Sequence, residues 1–235
     1  MGIKQVFTHL NILADRANRS KLLRLLERDS GAKMLDLGCA DGSFTVTAAK
    51  TVGTEEVFGA DMDREACIAA GEKGISVTIA NLNQGLPYAN NSFDVVIANQ
   101  VIEHLPRTDL FVKEILRILK PGGYVVVSTP NLGSWHNIAF LLVGFQPPFC
   151  LVSDEVYQLG NPIASLYMKK REHVTHGHLR IFTVLALKQL FQYHRYKVEA
   201  ALGGGYAAYP QFLSRILSRL DPWHSVYAIV KARKI

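Results

Sequence analysis

The stretch Met34-Leu-Asp-Leu-Gly-Cys-Ala-Asp-Gly-Ser-Phe44 constrains this chain more than any other. Its apolar run, Met34, Leu35 and Leu37, predicts a short buried strand. Glycines at Gly38 and Gly42 mark a tight turn, and residues 44–50 then read as a helix. Strand, glycine turn and helix start together form a nucleotide-handling device. The glycines let backbone approach a ligand closely, and the helix start offers unpaired N–H groups. The chemistry of the turn narrows the ligand. A dinucleotide fingerprint needs G-x-G-x-x-G spacing and room for a pyrophosphate. Here the spacing is Gly38-x-Ala40-x-Gly42, with Asp36 and Asp41 beside or inside the turn. Two carboxylates repel a diphosphate and suit a nucleoside that carries positive charge.

Further segments arrive at regular intervals. Val57-Phe-Gly-Ala-Asp61 predicts a second strand ending in an acid roughly 20 residues past the turn, placed to accept ribose hydroxyls. Ser76-Val-Thr-Ile-Ala80 predicts a third strand, followed by Asn81-Leu-Asn-Gln-Gly-Leu-Pro-Tyr88. The segment from Ser92 to His104 predicts a fourth strand and the loop beyond it, and Lys120-Pro-Gly-Gly123 leads into a fifth, 124–128. In order and spacing, residues 33–131 resemble the class I S-adenosylmethionine-dependent methyltransferases, whose motif I the glycine turn matches.

That resemblance implies a Rossmann-like, doubly wound α/β sheet of seven strands in the order 3-2-1-4-5-7-6, the last strand antiparallel. It implies one methyltransferase domain over 1–235, with an N-terminal helical segment (1–30) and a substrate-covering insertion after strand five (132–180). The implied cofactor is S-adenosyl-L-methionine, and the implied cofactor-binding residues are Asp36, Gly38, Cys39, Ala40, Gly42, Asp61, Met62, Asn81, Leu82 and Asn99. Asp61 falls at the ribose position and Met62 where the adenine rests. Asn81 stands where the family usually has Asp against the adenine amino group; its amide oxygen can still accept that bond. Ala40 replaces the middle glycine. These two departures keep open a degenerate cofactor-binding scaffold, whereas Gly38, Gly42 and Asp61 together disfavour it. A nicotinamide-dependent enzyme is disfavoured by the acids in the turn.

Composition agrees with a globular chain: 235 residues, 49% hydrophobic and 20% charged. Cys39, Cys67 and Cys150 are widely spaced without C-x-x-C pairing, which argues for a reducing compartment and against a disulfide frame. The start Met1-Gly-Ile-Lys-Gln lacks the apolar core of a secretion signal, so a cytoplasmic location is expected. The net charge of +6 invites a nucleic-acid partner. Its basic residues instead line an amphipathic N-terminal helix (Arg16, Arg19, Lys21, Arg24, Arg28, opposite Leu22, Leu23, Leu25 and Leu26), the insertion and the C-terminus, without interleaved aromatics. Base-methylating relatives usually carry Asn-Pro-Pro-Tyr after strand four; here the residues are Asn99-Gln-Val-Ile102. Nucleic acid is the disfavoured acceptor and a small molecule the favoured one. The oligomeric state is not legible.

The stretch 138–152 is uncharged and broken by Gly144, Pro147 and Pro148, too short to span a bilayer. It reads by default as buried core, otherwise as a lid over an apolar acceptor or a peripheral membrane contact, with a short helix from about 135 to 143. His173, His176 and His178 prompt a metal reading, but their spacing is not that of a zinc site and no cysteine joins them, so no metal is expected. The histidines then lie in a loop feeding a helix, 185–194, capped by Thr183. Such His/Arg/Phe-Thr segments resemble those of the ubiquinone O-methyltransferases and their small-molecule relatives. Strands at 197–202 and 226–231 close the fold, with a loop between them. For an acceptor hydroxyl or phenol, His104 is the candidate base and Glu103 the residue to orient it or help hold an ion.

Overall fold

The computed structural model describes residues 3–153, 159–163, 177–206 and 211–235. In chain order the elements are α1 (Ile3–Leu23), β1 (Met34–Leu37), α2 (Ser43–Val52), β2 (Val57–Asp61), α3 (Arg64–Gly71), β3 (Ser76–Ile79), β4 (Phe93–Asn99), α4 (Thr108–Ile118), β5 (Leu119–Pro130), α5 (Trp135–Leu142), α6 (Val184–Tyr193), β6 (Tyr196–Gly204), α7 (Gln211–Leu220) and β7 (Tyr227–Lys234).

Alternation along the central strands decides the layering. Val95 and Ile97 of β4 join Tyr124 and Val126 of β5 on one face, while Val96, Ala98, Val125 and Val127 join on the other. Successive side chains of a strand point to opposite faces, and parallel strands covered on both sides are apolar on both. Leu22 of α1 and Ala48, Ala49 and Val52 of α2 cover the first face. Phe111, Ile115 and Ile118 of α4 cover the second with Leu187 and Phe191 of α6. The sheet runs β3-β2-β1-β4-β5-β7-β6, with β7 antiparallel to β5 and β6, the expected order.

Three local expectations need correction. The Lys120-Pro-Gly-Gly123 turn lies inside β5, where pairing begins at Phe93–Leu119 and resumes, shifted, at Val95–Tyr124. The stretch expected as a loop after residue 206 contains α7. That helix rests on Lys21 of α1, which donates to the Ser218 carbonyl (3.2 Å) and hydroxyl (3.0 Å), a contact about 200 residues away in sequence. Default burial of 138–152 also fails over α5, of whose residues only Asn137 is fully buried. Leu141, Leu142 and Val143 are exposed. Among the described residues no helix is long and apolar enough to cross a membrane.

One side chain fastens α1 to the working end of the sheet. Asn18, fully buried, donates to Asn99 Oδ1 (2.9 Å) at the end of β4 and to the Ser128 hydroxyl (3.0 Å) of β5. Ser128 donates in turn to Asn99 Oδ1 (2.7 Å). Asn18→Ala leaves these buried acceptors short of a donor, so urea denaturation is expected to show a loss of about 1–3 kcal/mol. A loss under about 0.5 kcal/mol, the range of an ordinary surface substitution, contradicts this role.

Candidate cofactor and acceptor site

The turn after β1 is held by backbone. Gly38 N donates to Ala60 O (2.7 Å) and Gly42 N to Cys39 O (2.9 Å). Gly38 and Gly42 have φ of 74° and 75°, where a side chain is strained. Space forbids one as well: a Cβ on Gly38 would lie 2.4 Å from Val101 Cγ2, and one on Gly42 2.5 Å from Ile75 Cδ1. Ala40 adopts φ 46°, the left-handed region a glycine would enter without cost, and is exposed, so its methyl is accommodated.

Asp61, at the end of β2, fastens this turn. Its Oδ2 accepts from Ala40 N (2.9 Å) and its Oδ1 from Asp63 N (3.0 Å). Each oxygen retains a further lone pair. Asp61 lines a cavity of about 200 Å³ with Gly38, Met62, Asn81, Leu82 and His104. Six sequence-predicted residues thus meet at one opening. Met62 is 61% exposed, an apolar side chain left bare at the rim.

The other predicted residues stand behind this lining. Asp36 is buried under the turn, where it accepts from the Thr45 hydroxyl (2.6 Å); burial first, and Asp61 nearby, push its carboxyl up to about 7. Asp41 faces elsewhere: bonds from Ser43 and then Lys73 hold its carboxyl at about 2. Their charges, expected to greet a cationic ligand, are absorbed by the protein. Cys39 packs its sulfur against Gly59, and burial pushes its thiol up to about 12, no nucleophile at neutral pH. Asn99 belongs to the Asn18–Ser128 cluster.

Asn81 and Asn83 differ in how their amide oxygens are engaged. Asn81 Oδ1 accepts from Asn83 N (3.0 Å), an Asx turn. Asn83 Oδ1 is buried in the cavity wall without a hydrogen-bond partner among the described residues. An orphaned acceptor in that wall fits an amino group, as the carboxylate of Asp61 fits a pair of hydroxyls. Sequence reading passed over Asn83, although the Asn-x-Asn spacing after a strand was its available signal. It also passed over Gln100 and Val101. Gln100 has φ 60°, and its backbone N and side-chain Nε2 donate to Ser128 O (2.9 Å) and Oγ (3.0 Å). That strained residue turns the chain away from β4 and presents Val101 to the cavity.

Glu103 and His104 follow in a short 3₁₀ turn, Ile102–His104. Glu103 is fully buried, and burial pushes its carboxyl up to about 7. Its Oε2 accepts from the Thr129 hydroxyl (2.9 Å). His104 Nδ1 lies 3.1 Å from the Gly177 carbonyl, which can only accept, so Nδ1 carries the proton. The Glu103 carbonyl accepts from Leu179 N (2.8 Å) and Arg180 N (3.2 Å), drawing the end of the insertion onto the site. His178 thereby comes to 4.9 Å from His104, ring to ring. His173 and His176, and Lys169-Lys-Arg171, lie outside the described residues. A second cavity, about 340 Å³, opens between Trp135, His136, Tyr206, Asp221, His224 and Val226.

Sheet order, glycine turn and the Asp61 cavity define a class I S-adenosylmethionine-dependent methyltransferase. A family model described as a methyltransferase domain matches residues 10–201, and the chain belongs to that family. It is 30% identical to a demethylmenaquinone methyltransferase of Staphylococcus aureus over 165 residues, 62% of this chain and 68% of the relative. The solved S-adenosylmethionine-dependent methyltransferase of Mesorhizobium loti shares the fold with a TM-score of 0.62 at 19% identity, covering 94% of this chain and 99% of that one. The [4+2]-cyclase SpnF also shares it, with a TM-score of 0.60 at 19% identity over 94% and 81% of the two chains.

The raised Asp36 carboxyl has a signed consequence. An acid whose pKa is higher in the folded chain holds its proton more tightly there, so its contribution to stability is complete below the unfolded value of about 4. That contribution is lost as pH rises through about 7. Asp36→Asn, which keeps an acceptor for Thr45, is expected to flatten the decline in urea-denaturation stability between pH 5 and 8. An unchanged slope contradicts the burial of that charge.

Proposed function

We propose that the enzyme methylates a hydroxyl or phenol of an apolar or aromatic small molecule, using the residues around Asp61 for the cofactor and Glu103–His104 on the acceptor side. The observation that carries this reading is His104 on the wall that also holds Asp61, Met62 and Asn81. When bound, S-adenosylmethionine supplies a methyl group on an electron-poor sulfonium and leaves as S-adenosylhomocysteine. Asp61 accepts the ribose hydroxyls, Met62 covers one face of the base, and Asn83 with Asn81 receives its amino group. Gly38, Ala40 and Cys39 contribute backbone; Asp36, Gly42, Leu82 and Asn99 shape the site from behind or at its edge.

Several features support an aromatic acceptor. Rings run from His104 through His178 (4.9 Å) and Phe149 (5.6 Å) to His136 (6.2 Å), which borders the second cavity. Trp135 stacks there on His224 at 4.3 Å. The Staphylococcus aureus relative is by name a demethylmenaquinone methyltransferase, which supports a small-molecule acceptor. No base-clamping motif follows β4, which weighs against nucleic acid.

Asp61→Ala removes acceptors for the ribose and the anchor of Ala40 N, so calorimetry is expected to show at least a tenfold loss of S-adenosylhomocysteine affinity, about 1.4 kcal/mol or more. Unchanged affinity removes Asp61 from the cofactor site. With labelled cofactor, a panel of phenols and hydroxyquinones set beside amines tests the acceptor. His104→Ala is expected to lower turnover on the preferred phenol by about 10²–10⁴, cofactor affinity holding. Methylation confined to amines overturns the hydroxyl reading.

A further inference from the structure

The end of the insertion does more than cover the site. Its His178 lies beside Glu103 and His104, and one ligand atom from each of the three falls within 4.8 Å of the others. Glu103 Oε1 is fully buried without a hydrogen-bond partner among the described residues, and so is His178 Nδ1. Glu103 Oε1 is 4.0 Å from His104 Nε2. Protonation on the outer side of each ring is fixed by backbone. His104 gives its Nδ1 proton to the Gly177 carbonyl, and His178 is bonded to the backbone of Phe149 in the sense that favours its protonated form, so the ring donates there. The neutral tautomers consistent with those bonds turn Nε2 of His104 and Nδ1 of His178 inward as lone pairs. These two nitrogens therefore converge with Glu103 Oε1, and two of the three atoms, Glu103 Oε1 and His178 Nδ1, are buried without a hydrogen-bond partner among the described residues.

Buried acceptors without donors lose their hydration uncompensated, and a cation held between Glu103 Oε1 and His178 Nδ1 makes good that loss. Each of the three also has the outer support that metal ligands have: carbonyls behind both rings and the Thr129 hydroxyl on Glu103 Oε2 (2.9 Å). We propose that Glu103, His104 and His178 form a binding site for a divalent first-row transition ion, Zn²⁺ in the first instance, at which an acceptor oxygen completes the coordination. Two nitrogens and one carboxylate oxygen with open positions form a donor set of catalytic type. Ligand distances of about 2.0–2.2 Å require the three atoms to close in by roughly 1 Å.

The site rests on the hydroxyl reading above and deepens it. An ion there attracts the acceptor's oxygen and favours loss of its proton to water, making the oxygen a better nucleophile while its bond to the methyl carbon forms and the carbon–sulfur bond breaks. His104 then acts as a ligand, and an amine acceptor gains nothing from the ion. This proposal departs from the sequence expectation of no metal, which weighed His173, His176 and His178 as neighbours in sequence and not His178 with Glu103.

The test uses the full-length protein after chelation. Zn²⁺ titration by calorimetry is expected to show one equivalent per chain, and Co²⁺ to give a visible spectrum without a thiolate band. Glu103→Gln and His178→Ala are each expected to weaken Zn²⁺ at least about 100-fold, with S-adenosylhomocysteine affinity within twofold of wild type as the measure that the fold is intact. If either variant fails that measure, His178→Gln takes its place with the same expectation. No Zn²⁺ uptake by protein that binds S-adenosylhomocysteine overturns the proposal. Uptake indifferent to both substitutions, or a thiolate band, overturns it too. Zn²⁺ bound as expected by an enzyme that methylates only amines leaves the site standing and removes the hydroxyl reading.

Discussion

The carboxylate of Asp61 joins two loops that the sheet alone would leave independent. By accepting from Ala40 N and Asp63 N it fixes the glycine turn after β1 against the start of α3. The cavity between them exists because those loops cannot drift apart. A carboxylate suits this better than an amide, since it accepts at both oxygens and keeps lone pairs for a ligand. It also accounts for the tolerance of Ala40. The left-handed conformation of that residue, which costs about 1–2 kcal/mol for a side chain, is held by a charge-assisted bond to its N–H.

A second constraint is the polar cluster of Asn18, Asn99, Ser128 and Gln100. It sits where β4 and β5 end and where the open α/β sheet offers its crevice to ligands. Polar groups in that position must be satisfied by protein when no ligand is there, and Asn18 of α1 supplies the donor. The N-terminal helix is thus both a cover for one face of the sheet and a brace on the ends of β4 and β5. A basic outer face and a leucine stripe describe only the first of these roles.

The insertion illustrates how chain return builds a site. Leu179 and Arg180 donate to the Glu103 carbonyl, and Leu132 N donates to Phe182 O (2.9 Å), so the strand end, the 3₁₀ turn and the returning loop are stitched by backbone. Backbone stitching positions His178 without any side-chain signature. In α5, Trp135, Leu141 and Leu142 are exposed, with Trp135 on the wall of the second cavity. Glu103 and His178 are both shifted toward their neutral forms by burial, the latter to about 4, as Asp36 is beneath the glycine turn.

Much of this protein was written in its sequence. The period-two apolar strands, the Gly38 and Gly42 turn and the acid at Asp61 are local signals, each set by the conformations and burial of a few adjacent residues. They led to the sheet order, the family and six of the residues that line the Asp61 cavity. What tertiary structure decided was which polar groups are spoken for. Asp36 and Asp41 read as free charges beside a ligand, yet Thr45 and Ser43 with Lys73 take them. Asn83 gave no sign of being left without a partner, and Asn18 none of being buried. α7 was hidden because its inner face carries serines, and the partner of Ser218, Lys21, is distant in the chain. His178 was read with its sequence neighbours because nothing local says that a loop will fold back onto Glu103. Propensity and periodicity act over a few residues; satisfaction of a buried donor or acceptor depends on whatever the fold brings against it, and only the assembled molecule contains that information.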